Sequence, residues 1–323
     1  MRYLVTGGAG FIGSHLCERL LDDGHSVVAL DDLSTGRFEN VAHLEQRSGF
    51  ELIVASVCDP SVVEKCVIDC KAVYHLASAV GVRLVVEQPV HTIETIVNGT
   101  DTVLRSCARY RRPILLTSTS EVYGKGTKIP FAEGDDCLMG PTTTRRWAYA
   151  CAKALDEFLA LAHWHESRLP IVVARLFNTV GPRQTGRYGM VIPRFVQQGL
   201  NGEPITVYGD GTQSRCFTHV ADVVGALVAL MNHPEARGQV FNIGNDEEIT
   251  MLQLAKRVRA ATGNKSEIRM VPFSEAYTAG FEDMQRRVPD LTKIHKLIGY
   301  QPKFALKDIL ADVMTEQTAG LTR

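Results

Sequence analysis

Tyr149 and Lys153 stand four residues apart in RRWAYACAKALDEFLALAHWHE, a spacing that sets a phenol and an ammonium on one face of a helix. An ammonium beside a phenol favours the phenolate, lowering the tyrosine pKa from its reference of ~10 toward a pH where it can act as a base. A second reactive group is TSTSEVYG, Thr117 to Gly124, where small hydroxyl side chains and the carboxylate of Glu121 crowd into a turn after the apolar run ILL. A third is TGGAGFIG, Thr6 to Gly13, lying between the run YLV and a helical pattern. Its Gly7, Gly10 and Gly13 form GxxGxxG, a relative of the dinucleotide fingerprint, in which glycines allow a tight turn and close backbone approach to a pyrophosphate. The run VVALDD then ends at Asp31, eighteen residues beyond Gly13, where a carboxylate can accept from an adenosine ribose and repel a 2′-phosphate. NAD is therefore expected over NADP, although Arg37 nearby is a residue type that accommodates a phosphate.

These groups need elements to hold them. YLVT, SVVAL, ELIVA, AVYHLA and PILLTS read as strands separated by amphipathic segments, and such alternation argues for a parallel sheet with helices on both faces. The spacing predicts a helix over Arg145 to Glu166, stopped by Leu169-Pro170 before the strand IVVARLF. After Asn178, Gly and Pro punctuate shorter segments. The expected fold is α/β, a Rossmann-type doubly wound parallel sheet over 1–177 with a smaller mixed α/β substrate lobe over 178–323, part of 215–250 packing back on the first domain.

A chain of 323 residues can bury a large core, and a length above ~250 residues suggests two lobes. With 35 Lys plus Arg against 36 Asp plus Glu there is no global field for nucleic acid or an anionic membrane, so an anionic substrate needs local arginines. No apolar run approaches the ~20 residues of a membrane helix, and MRYLVTGG enters a strand directly, so a cytoplasmic protein without targeting is expected. The eight cysteines include no CxxC and read as reduced thiols. No metal is expected: His163 and His165 are two apart and do not share a helix face.

The glycine turn, the TSTS turn and YxxxK together resemble the extended short-chain dehydrogenase/reductase family of nucleotide-sugar epimerases, dehydratases and decarboxylases, from Arg2 to about Ile309. The resemblance implies that Thr119, Tyr149 and Lys153 act on a sugar C4 hydroxyl beside NAD, with Tyr149 taking the proton and Lys153 holding the nicotinamide ribose. It implies cofactor contacts from Gly7, Gly10, Phe11, Ile12, Gly13, Asp31, Asp32, Ser56, Val57, Leu76, Ala77, Thr117, Tyr149 and Lys153. Ser56-Val57 departs from the Asp-Ile or Asp-Val common in relatives, so adenine contacts there are expected to be arranged differently. Asn178, Val191, Arg194, Val207, Tyr208 and Arg215 match positions that hold the uridine and diphosphate of UDP-sugars. A homodimer through a four-helix bundle is also implied, formed by the segment around Glu94 to Ala108 and the Tyr149 helix, with Leu155, Phe158 and Leu159 as candidate contacts.

Simple UDP-hexose 4-epimerases resemble the chain at TSTS but usually carry a small residue where Glu121 stands, whereas UDP-glucuronate decarboxylases carry a glutamate. The segment GFEDMQRRVPDLTKIHKLIGYQPK looks like the decarboxylase pattern: Arg287 matches the arginine associated with the substrate carboxylate, and Gly280 stands where 4-epimerases commonly have a diphosphate arginine. The resemblance thus implies a UDP-glucuronate decarboxylase, with reprotonation of C5 and fixing of the carboxylate assigned to Arg287, Glu121 and Ser120. The alternatives are a UDP-sugar 4-epimerase, a 4,6-dehydratase and a non-catalytic NAD-sensing regulator.

Overall fold

The computed structural model describes residues 1–79, 88–186, 190–263, 265–276 and 284–321. Through the first half the strands are β1 (Arg2–Thr6), β2 (Ser26–Asp31), β3 (Phe50–Val54), β4 (Ala72–His75), β5 (Ile114–Thr119) and β6 (Ile171–Leu176). Between them run helices Phe11–Asp22, Pro60–Ile68, Pro89–Tyr110 and Trp147–Ser167. Beyond Asn178 come β7 (Thr179–Val180), β8 (Ile205–Tyr208), β9 (Ser214–Cys216), β10 (Thr218–His219), β11 (Gln239–Ile243), β12 (Glu248–Thr250), β13 (Ile268–Val271) and β14 (Arg286–Arg287).

Seven strands form one parallel sheet in the order β11-β6-β5-β4-β1-β2-β3. The order winds outward from β1 in both directions, so the chain reverses between β1 and β4 and opens a crevice at their carboxyl ends, where ligands bind in such sheets. Thr6 and His75, the last residues of those strands, are register partners at that point. Period-two alternation sends Tyr3 and Val5 into a core with helices Phe11–Asp22 and Val220–Asn232, and Leu4 into the opposite core with Val103, Leu104 and Ala160. Both faces are covered, which explains the near-continuous apolar runs.

A third core gathers Ile192, Phe195, Val207, Leu254, Val258 and Ile309 from the second half. There β9 pairs antiparallel with β12 and parallel with β14, whose register sets Arg287 beside Arg215. The helix expected from Arg145 starts at Trp147, because Trp147 and Ala148 donate to Thr144 and Arg145 in a tight i→i−3 turn. It ends with Arg168 in the left-handed conformation at φ 55°.

Beneath the TSTS turn lies a buried polar frame. Ser118 Oγ donates to Glu157 Oε1 at 2.5 Å, and Arg175 Nη2 donates to Glu157 Oε2 at 2.7 Å with its guanidinium 4.8 Å from the Tyr123 ring centroid. Tyr123 in turn stacks on Phe131 at 4.7 Å and donates to Asn242 Oδ1 at 2.7 Å. The frame joins β5, β6, β11 and the tyrosine helix. Arg175→Ala would leave Glu157 as a buried carboxylate without its cation, so a loss of about 3–5 kcal/mol in denaturant unfolding is expected. Arg47→Ala, which removes an exposed pair with Asp22, should cost under about 1 kcal/mol.

Candidate active site

The crevice deepens into a cavity of about 470 Å³ reaching from the glycine turn to β14. At one end, Gly7 adopts φ +69°, and a Cβ on Gly13 would sit 2.0 Å from the Gly7 carbonyl oxygen, so turn and helix touch only because both lack side chains. Helix Phe11–Asp22 opens at Gly10 with no side-chain cap, leaving its first N–H groups to face the cavity, as a pyrophosphate requires. Asp31 closes β2 beside them. Its oxygens accept from Ala9 N and Leu33 N at 2.9 Å each, and burial raises its pKa against those bonds. Asp32 forms an Asx turn with Ser34.

Most of the expected cofactor residues line this end: Gly7, Gly10, Phe11, Ile12, Gly13, Asp31, Asp32, Val57, Leu76, Ala77, Thr117, Tyr149 and Lys153. Ser56 does not. Its hydroxyl accepts from Cys58 N at 3.1 Å in a local turn, and Ala55 and Val57 face the cavity instead. The glycine turn, uncapped helix and Asp31 fit a dinucleotide.

At the other end, Asn178, Val191, Arg194, Tyr208, Arg215 and Arg287 line the wall. Arg194 lies 3.9 Å above the Tyr208 ring and donates to the Thr206 carbonyl at 3.2 Å, giving a flat cationic and aromatic surface. Val207 is corrected: strand parity turns it into the third core, fully buried and away from the cavity. Gly280 and the acidic pair Glu282-Asp283 lie outside the described residues.

Between the two ends stand the reactive groups. Thr119 ends β5, and its Oγ1 accepts from Glu121 N at 3.2 Å, capping a one-turn helix, Ser120–Tyr123. That cap aims Glu121 into the cavity, where its carboxylate meets Arg146 at 3.5 Å and Arg287 at 3.6 Å. Burial acts to raise its pKa, but the charges of Arg146, Arg287 and Arg215 win and hold it below the usual carboxylate range. Glu121 is therefore ionised in this arrangement. Ser120 Oγ is buried in the cavity lining with no hydrogen-bond partner among the described residues, a hydroxyl open to a ligand.

Tyr149 differs from the expected lowered pKa. Its phenol is pushed above the ordinary value, first by burial and then by the negative charge of Glu121, against a hydrogen bond with Thr119. The Lys153 ammonium is engaged by Asp156 Oδ2 at 3.0 Å.

Two charged lining residues escaped sequence reasoning. Arg146 precedes Tyr149 by one helical turn, and that i, i+3 spacing was the available signal. Arg183 is held at φ 68° and donates to Glu18 Oε2 at 2.6 Å on the glycine-turn helix. Among the described residues no His, Cys, Asp or Glu cluster could hold a metal, and no helix is long and apolar enough to cross a membrane.

The profile of the NAD dependent epimerase/dehydratase family matches residues 3–244. The chain is 39% identical over 97% of its length to UDP-N-acetyl-alpha-D-glucosaminuronate decarboxylase of Bacillus cytotoxicus, covering 96% of that protein. It is 37% identical over 95% of its length to UDP-glucuronic acid decarboxylase 1 of Danio rerio, covering 70% of it. Among solved structures, UDP-glucuronic acid 4-epimerase from Bacillus cereus, in complex with UDP-glucuronic acid and NAD, is similar at a TM-score of 0.87 and 28% identity over 99% of either chain. The dinucleotide cradle and these likenesses agree: the chain belongs to the NAD-dependent epimerase/dehydratase family, and NAD is its cofactor.

Proposed function

We propose that this chain is a UDP-glucuronate decarboxylase that oxidises sugar C4, yielding UDP-xylose or the UDP-4-keto-pentose. The carrying observation is Glu121, ionised among Arg146, Arg215 and Arg287. A plain 4-epimerase turns its keto sugar over and needs no such group, whereas a uronate brings a carboxylate and a diphosphate that guanidiniums recognise. The decarboxylase names of the relatives support the same reading. Epimerisation of the uronate is the second reading, favoured by the likeness to the Bacillus cereus enzyme.

In this reading 1–177 carries the dinucleotide and the reactive side chains, and 178–323 holds the nucleotide-sugar. When bound, NAD would supply the hydride acceptor for C4, and its positive nicotinamide would favour the Tyr149 phenolate that burial and Glu121 oppose. Tyr149 takes the C4 hydroxyl proton while Thr119 hydrogen-bonds the same oxygen. The product is a β-keto acid, whose C5–C6 bond breaks as its electrons move into the C4 carbonyl to give an enolate and carbon dioxide. Arg287 and Ser120 hold the carboxylate until it leaves. Glu121 keeps Arg146 and Arg287 in place, and the C5 carbanion takes a proton from solvent water, whose hydroxide is neutralised by a proton from bulk solvent.

Pure protein given UDP-glucuronate and NAD should release carbon dioxide and form a pentose nucleotide. UDP-N-acetylglucosaminuronate, run in parallel, reports the C2 preference. Formation of UDP-galacturonate at the same carbon count would overturn decarboxylation in favour of epimerisation. Tyr149→Phe should cut C4 oxidation by roughly 10²–10⁴ with nucleotide-sugar binding intact. Glu121→Gln and Arg287→Lys should slow carbon dioxide release or C5 protonation more than they weaken binding.

Asp31→Ala should weaken NAD binding and narrow the preference over NADP, measured by calorimetry with both cofactors. Equal affinity of the unaltered protein for the two would defeat the role given to Asp31.

The assembly we propose is a dimer through helices Pro89–Tyr110 and Trp147–Ser167. Phe158 is 73% exposed and Leu155 50%, joined on the neighbouring helix by Val90 and Ile93. Leu159 takes no part, since it packs into the sheet core. Light scattering should report a dimer at micromolar concentration, and Phe158→Glu should shift it to monomer.

A further inference from the structure

Lys153 and Asp156 form an ion pair closed to solvent, with side-chain exposures of 3% and 0%. The same Asp156 Oδ2 accepts from Thr100 Oγ1 at 2.8 Å. That spends the Thr100 hydrogen, so the contact of 3.1 Å between Thr100 Oγ1 and His75 Nε2 has the imidazole donating. His75 Nδ1 is then the acceptor, and Thr6 Oγ1 donates to it at 2.7 Å. Thr6 Oγ1 itself accepts from Ala77 N at 3.2 Å. Every hydrogen therefore points one way, from the ends of β1 and β4 through helix Pro89–Tyr110 to the tyrosine helix. Burial holds the His75 imidazole down to about 3, which keeps it neutral and the direction fixed. Thr6 adjoins Gly7, and Leu76 and Ala77 line the dinucleotide end of the cavity.

We infer that Asp156 is a positioning residue that sets Lys153 against the cofactor, and that the Thr6–His75–Thr100–Asp156 chain registers the lysine with the glycine turn. The inference rests on reading Lys153 as the lysine that meets the nicotinamide ribose. A lysine has a flexible four-carbon stem and three donors. One donor bound to Asp156 fixes the head and leaves two for the cavity that Lys153 lines. Stability alone is a poor reason for such a pair, because well-packed apolar residues of the same volume often serve as well as a buried ion pair.

The test is a double-mutant cycle on the full chain stripped of NAD, comparing unaltered protein, Asp156→Asn, Lys153→Met and the double variant by calorimetry with NAD. Each single change should weaken NAD binding about tenfold, and the double should bind no more weakly than Lys153→Met, since coupled residues do not add. Asp156→Asn should also lower kcat while KM for the nucleotide-sugar stays within about twofold, because the lysine touches the cofactor side only. Additive losses, or unchanged NAD affinity in a folded Asp156→Asn protein, overturn the inference. If Lys153→Met itself binds NAD normally, the cofactor role of the lysine falls and the inference falls with it. If Lys153→Met weakens NAD and Asp156→Asn does not, only the inference falls. Should Asp156→Asn not fold, Thr100→Val keeps both charges and should still weaken NAD binding about threefold; no change overturns the inference.

Discussion

One carboxylate among three guanidiniums ties the two halves of this molecule together. Glu121 and Arg146 come from the turn after β5 and the start of the tyrosine helix, while Arg215 and Arg287 come from neighbouring strands of the second half. Arg215 and Arg287 are register partners in a parallel ladder, an arrangement of like charges that needs an anion nearby. Glu121 supplies it. Strand parity explains why the next residue back, Arg286, faces outward to pair with Glu248 through two bonds of 2.8 Å. The short strand thus sorts its two arginines between surface and site.

Fixing Glu121 demands a stiff support under the TSTS turn, and the polar frame of Ser118, Glu157 and Arg175 provides it from below. Phe131 provides it from the side: its backbone accepts from Asp290 N and donates to Val288 O, both at 2.8 Å, so the segment carrying Arg287 is bound to the loop packed against Tyr123. Catalytic geometry and fold are consequently not separable here. The groups that position Arg287 are the ones that pack Tyr123, Phe131 and Phe177 into a small core of their own.

The parallel sheet, the glycine turn and the place of Tyr149 and Lys153 were legible because each follows from local rules: strand alternation, a turn only glycine can make, and i, i+4 spacing. Errors arose where a side chain had a choice of face or partner. Val207 and Tyr208 are adjacent, and only the tertiary packing of β8 decides which one meets the cavity. Ser56 satisfies its own turn. The pKa of Tyr149 could not be read from YxxxK, because the sequence does not reveal that Asp156 engages the lysine or that Glu121 faces the phenol. Arg146 and Arg183 carried only a faint signal, being arginines in loops and helix starts where most arginines are solvated.

The charge arrangement also bears on why a uronate would lose its carboxylate here. Among the described residues Lys153 pairs with Asp156, and the guanidiniums of Arg146, Arg215 and Arg287 hold Glu121 ionised. On the proposed reaction, the sugar carboxylate must share Arg146 and Arg287 with Glu121, so two carboxylates compete for the same forks in a buried space. Repulsion between them is relieved when one departs as neutral carbon dioxide, and the electrons it leaves pass to the C4 oxygen, beside Thr119 and the protonated Tyr149. Glu121 then keeps its ion pairs with Arg146 and Arg287, which is the arrangement seen in the structure. On this proposal a glutamate two residues past Thr119 acts by staying ionised, holding the arginines in the arrangement that the substrate carboxylate disturbs and its loss restores.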